Sequence, residues 1–166
     1  MIRHALPEDA RQLVKVMQQV ERESPYMLYE AGEREISAEN MEKRIRALTE
    51  QENSIILLAE TDGQLAGYLF AIGGSSRKSA HTASVVIGVT AAHQGKGLGT
   101  RFFEKLEKWA MNIELHRLEL TVITENTRAI DLYEKAGFTI EGAKKDALRM
   151  DGRFVDEYYM SKLLEG

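Results

Sequence analysis

Cysteine is absent from the 166 residues, which removes a disulfide framework, a thiolate nucleophile and a Cys-ligated metal together. No apolar run approaches the roughly 18–20 residues that cross a bilayer. The opening "MIRHALPEDARQLV" is acidic by position 8 and has no apolar stretch of the signal-peptide kind. A basic surplus is also missing: the net charge is −4, and the short stretches "RKSAH" and "GAKKDALR" do not compensate locally. That balance speaks against nucleic acid as a partner and mildly favours a cationic one. Internal repeats, low-complexity tracts and linkers are lacking too. What remains is an ordinary globular balance, 43% apolar and 29% charged, enough for one core. The expectation is a single domain over residues 1–166, cytoplasmic, without membrane or nucleic-acid partners.

The pattern along the chain alternates between strand and helix periods. "MIRHA" reads as a short strand. Pro7, Glu8 and Asp9 open a helix that carries Leu13, Val16, Met17 and Val20 on one face. After the irregular "SPYMLYEAGERE", Ser37 is the expected N-cap of a second helix, Ala38 to about Thr49, with Met41, Ile45 and Leu48 inward. "NSIILLAE" and "QLAGYLFAI", joined by Asp62-Gly63, predict a hairpin. "HTASVVIGV" is the next strand. From Gly97 onward Leu98, Phe102, Leu106, Trp109 and Ile113 mark a third helical face. "RLELTVIT" is a strand, "NTRAIDLYEKAGF" a short helix closed by Gly137, and "TIEGAKKDALRM" and "RFVDEYYMSKLL" a second hairpin over Asp151-Gly152. The order is β-α-α-β-β-β-α-β-α-β-β, an α/β (α+β) chain with one mixed sheet and helices on both faces. The strands from about Val85 and Arg117 bracket a helix and are expected to run parallel.

Between strand and third helix lies "VIGVTAAHQGKGLGTRFF", Val86 to Phe103. Glycines ahead of a helix N-terminus let backbone amides approach an anion, and the helix adds unpaired N–H groups and its dipole. A tight turn without a ligand is the plainer alternative. A P-loop is excluded, because Gly97 follows Lys96 where Ser or Thr is required and no glycine stands five positions before Gly95. A dinucleotide fingerprint fails at its third glycine, which would be Thr100 or Phe102.

The spacing that does fit is Q-x-x-G-x-G at Gln94, Gly97 and Gly99. With the second signature N-x-x-A-x-x-x-Y-x-x-x-G-F, at Asn126, Ala129, Tyr133, Gly137 and Phe138, the chain resembles the GNAT superfamily of acetyl-CoA-dependent N-acetyltransferases. The resemblance covers essentially the whole chain and implies a mostly antiparallel sheet. It implies that the pyrophosphate of CoA rests on the amides of Gln94, Gly95, Lys96, Gly97, Leu98, Gly99 and Thr100. The pantetheine arm would pair with the strand edge around Ile87, Gly88 and Val89. Gly88 would allow close approach there or mark a bulge. Asn126 would contact the cofactor, N-cap the short helix, or do both. Ala129 and Tyr133 would line the same side. An N–H near Val89 would serve the oxyanion, and Tyr133 would protonate the leaving thiolate.

The base is left open. "TASVVIGV" holds no acid, so His81, Glu119 and water all stand as routes for the amine proton. An α-amine, with a pKa of about 7.8, is the easier acceptor for such a site than a lysine-like amine near 10.4. His93 and His116 read as structural, and no His/Asp/Glu spacing suggests a metal. The acceptor would be gripped by "ESPYMLYEAGERE", "GGSSRKS" and the terminal hairpin. The implied activity is direct transfer of acetyl to an amino acid, polyamine or peptide N-terminus. A CoA-binding sensor without catalysis is the alternative, and homodimers occur among the proteins it resembles.

Overall fold

In the computed structural model, which describes residues 1–165, eleven elements follow the expected order. They are β1 (Ile2–His4), α1 (Ala10–Glu23), α2 (Ala38–Glu50), β2 (Ile55–Thr61), β3 (Gln64–Gly73), β4 (Thr82–Val89), α3 (Leu98–Asn112), β5 (Arg117–Ile123), α4 (Thr127–Lys135), β6 (Thr139–Met150) and β7 (Arg153–Leu163). Local chemistry accounts for most boundaries. Ser37 caps α2 by accepting the Asn40 N–H at 3.0 Å. Asp62-Gly63 and Asp151-Gly152 hold both turn residues at positive φ, the geometry of tight two-residue hairpins. Gly137 closes α4 at φ 98°. At the first helix the start differs from expectation. Pro7–Asp9 form a 3₁₀ turn, and Asp9 turns back to take two bonds from Arg3 and the Leu6 N–H.

The sheet has seven strands in the order β1-β2-β3-β4-β5-β7-β6. Every pair is antiparallel except β4 with β5. The last hairpin enters the sheet by its second strand, so β7 pairs with β5 and β6 forms the edge. One face is covered by α3 and α4, where Phe102, Phe103, Leu106 and Leu118 pack with Tyr133 and Phe138. Trp109 and Ile113 lean on this core without being fully buried. The other face carries α1 and α2, whose Leu13, Met17, Val20, Met41 and Ile45 pack on Ile56, Leu58, Tyr68 and Phe70. This second layer leaves Val86 of β4, Thr121 of β5 and Tyr159 of β7 exposed. No helix among the described residues is long and apolar enough to cross a membrane.

Candidate active site

The parallel pair is short. β4 and β5 share only the rungs Thr82–Arg117, Ala83–Leu118 and Ser84–Glu119, although both strands continue beyond them. From Val85 onward β4 has β3 on one side and a gap on the other. Backbone groups alternate in direction along a strand. Since the Thr90 N–H bonds to Ala66 of β3, Gly88 and Val86 also turn toward β3, whereas Ile87 and Val89 face the gap. The gap therefore presents an unpaired strand edge, which an extended ligand with amide groups can complete.

At the end of this edge lies the glycine loop. Gln94 folds back, its Nε2 donating to the Val89 carbonyl at 3.2 Å and its Oε1 accepting from Arg128 at 3.0 Å. Gly95 and Gly97 hold φ of 74° and 80°, in the left-handed region, and Gly97 is the N-cap of α3. The N–H groups of residues 95–100 find no acceptor in the protein among the described residues. Those amides, the positive end of α3 and the neighbouring guanidinium of Arg128 form an anion cradle that fits a pyrophosphate. Gly99 has a packing reason as well: a Cβ there would meet Leu132 of α4 at 2.7 Å.

On the α3/α4 face of the sheet stands Tyr133. Asn126 positions it by capping α4, accepting the Ala129 N–H at 3.3 Å. The Tyr133 ring lies edge-on to Phe103 at 5.7 Å, with Phe138 beside it at 6.3 Å. Burial pushes its pKa up to about 12, so the hydroxyl is a standing proton donor at neutral pH.

On the opposite face, the last shared rung brings Glu119 to Ser84, whose hydroxyl lies 3.5 Å from Oε1. Glu119 also receives Arg117 Nε at 2.9 Å and is 39% exposed. Arg117 forks onto Glu141 and holds that carboxyl down at about 2, helped by Ser161. Glu119 thus sits beside the point where the strands part, with a cation already on it. His81 lies elsewhere. It precedes the shared rungs, and its carbonyl accepts the His116 and Arg117 N–H groups. Its ring stands 6.2 Å from that of His116. A cavity of about 1000 Å³ opens there, lined by His81, Asn53, Gly74 and Glu114. Gln94 and the Ile87–Val89 edge therefore meet at the mouth of the gap. Tyr133 and its cap Asn126 belong to α4 on the α3/α4 face, Glu119 stands at the closed end of the gap, and His81 lies beyond that end.

Within the protein, Gly88 makes a close approach to another side chain. No register shift marks a bulge on β3/β4; instead a Cβ at Gly88 would lie 2.5 Å from the Oη and ring carbon of Tyr68. Tyr68 and Arg128 carry no signal in the sequence that marks them as site residues. Tyr68 is one aromatic in an apolar run and needs the β3/β4 register to be seen; Arg128, two residues after Asn126, offered only its charge inside the second signature.

A family model described as Acetyltransferase (GNAT) family matches residues 15–138. The chain belongs to the GNAT acetyltransferase family. It is 35% identical over 109 residues to the L-amino acid N-acetyltransferase AaaT of Escherichia coli strain K12, covering 64% of this chain and 67% of that one. It is 32% identical over 100 residues to the spermidine N(1)-acetyltransferase of the same strain, covering 58% of this chain and about half, 52%, of that one. The crystal structure of the acetyltransferase of GNAT family from Streptococcus pneumoniae superimposes with a TM-score of 0.95 at 31% identity, covering 99% of both chains. The family membership makes the chain an acyltransferase enzyme.

Proposed function

We propose that this GNAT enzyme transfers acetyl from acetyl-CoA directly to the primary amine of a small molecule, of amino-acid or polyamine type, or of a peptide N-terminus. The observation that carries the reading is the anion cradle at residues 95–100 continuous with the unpaired edge at Ile87 and Val89. A pyrophosphate and an amide-bearing arm need that combination. The curated relatives, one acting on L-amino acids and one on spermidine, support an amine acceptor without deciding between them.

Acetyl-CoA supplies the activated thioester. The amides of Gly95 to Thr100, with Arg128 alongside, hold its diphosphate, and Gln94 keeps the loop on Val89. Ile87 and Val89 hold the arm in the gap, and their N–H groups stabilise negative charge on the thioester oxygen. Tyr133 gives a proton to the departing sulfur; the water-poor surroundings that raise its pKa also raise that of a thiolate. Glu119, at the closed end and on the acceptor face, attracts the incoming ammonium. Release of free thiol from acetyl-CoA, measured across amino acids, polyamines and peptide N-termini, tests the reading. Acetyl-CoA binding without release for any amine would overturn it.

A further inference from the structure

The Tyr68 hydroxyl is the one fully buried side-chain polar atom that has no hydrogen-bond partner among the described residues. An orphaned hydroxyl is unfavourable and calls for a reason. Its position supplies one. Tyr68 stands opposite Gly88 in the β3/β4 register, and its ring reaches across β4 into the space that a Cβ at Gly88 would take. On the far side of that glycine backbone is the gap proposed to hold the thioester. Tyr133 belongs to the core on the α3/α4 face of the sheet and Tyr68 to the core on the α1/α2 face.

Behind Tyr68, at the end of α1, is Glu21, whose side chain is 3% exposed. Arg34 places both of its bonds, at 2.6 and 2.9 Å, on Oε2, and Oε1 accepts none from the described residues. The guanidinium of Arg34 also stacks on Tyr29 at 4.3 Å, fastening the loop after α1. Burial and the charge of Glu21 both raise the Tyr68 pKa, with a smaller opposing effect of Arg34. The hydroxyl thus remains neutral in a net negative local field, beside Gly88, with its hydrogen-bonding capacity unused by the protein.

We propose that Tyr68 is the acceptor-side counterpart of Tyr133: its hydroxyl accepts a hydrogen bond from the attacking amine, and Glu21 behind it favours the positive charge growing on that nitrogen. This rests on the acetyl-transfer reading. As the N–C bond forms, the C–S bond breaks and the sulfur takes the proton of Tyr133; the surplus proton on nitrogen passes to water, and water returns a proton to the Tyr133 oxygen. Tyr68 touches the substrate, and Glu21 is a positioning residue.

The test is Tyr68→Phe, which keeps the ring and removes only the orphaned hydroxyl. Turnover is expected to fall about 10²-fold, with acetyl-CoA affinity unchanged and the thermal midpoint unchanged or raised. Glu21→Gln is expected to lower kcat more than it alters KM, and Glu21→Asp to recover part of the loss. Across amines of rising pKa the Tyr68→Phe deficit should vary, whereas a purely structural role would leave it constant. Wild-type turnover that is retained in Tyr68→Phe overturns this inference alone. Loss of acetyl-CoA affinity in Tyr68→Phe also overturns it, assigning the hydroxyl to the cofactor. A wild-type protein that releases no thiol with any amine brings down the acetyl-transfer reading and this inference with it.

Discussion

Replacing Gly88 by alanine separates two reasons for a glycine on the open strand. Gly88 has no positive φ, so the backbone tolerates alanine, and removing glycine from a strand interior ordinarily stabilises by about 0.5–1 kcal/mol. Against this, the new Cβ would lie 2.5 Å from both Oη and the ring carbon bearing it, and 2.7 Å from a second ring carbon. Tyr68 is 1% exposed and edge-on to Phe70 at 6.0 Å, so it cannot swing aside freely. Crowding of that kind costs about 1–3 kcal/mol. The net expectation is a loss of about 1–2 kcal/mol, which lowers the midpoint by about 2–8 °C in a chain of this size. Urea unfolding of Gly88→Ala, Tyr68→Ala and the double variant measures it. In the Tyr68→Ala background the alanine at 88 should become neutral or stabilising, a coupling characteristic of residues in contact. Gly88→Ala as stable as wild type in the Tyr68 background would refute the reasoning. If acetyl-CoA affinity then fell, the glycine would be serving the cofactor instead.

Two further outcomes follow from other parts of the structure. Asp9 has its pKa lowered chiefly by Arg3, with the Leu6 N–H adding to the effect, so its stabilisation is complete above the ordinary carboxylate pKa near 3.9 and fades as pH falls through the lower folded value. Asp9→Ala should cost about 1.5–3 kcal/mol at pH 7 and flatten the acid limb of a stability profile; an unchanged limb would show that the Arg3 contact contributes nothing. Arg128→Ala should weaken acetyl-CoA binding up to about fivefold, the scale of one exposed charge contact, by freeing Gln94 and removing a cation from the cradle. Titration calorimetry at two salt concentrations checks this, and unchanged affinity with an unchanged salt dependence would contradict it.

Local chemistry made most elements legible in the sequence. Ser37, the two Asp-Gly turns and Gly137 act within a few residues of themselves, so their elements could be placed directly. The glycine loop and the Tyr133 helix were legible because their spacing is set by one strand–loop–helix unit each. The entry of β7 between β5 and β6 was not, because a hairpin looks the same whichever of its strands enters the sheet. The gap depends on where β4 and β5 stop pairing, which no local pattern encodes. Gly88 shows the limit most clearly: its position was noticed, but its occupant, Tyr68, comes from a strand twenty residues earlier. Glu119 was found by alternation along β5, while its ion pair with Arg117 and its contact with Ser84 required the rungs themselves. His81 read as a strand-start candidate, yet only the register shows it lying beyond the shared rungs.

The most direct test of acetyl transfer through Tyr133 is thiol release from acetyl-CoA by wild type and Tyr133→Phe, alongside calorimetric acetyl-CoA binding. Wild type should release thiol with at least one class of amine, and Tyr133→Phe should bind acetyl-CoA equally while turning over about 10²–10⁴-fold more slowly. Equal turnover by the two proteins, or binding without release by wild type across every amine, would contradict the account.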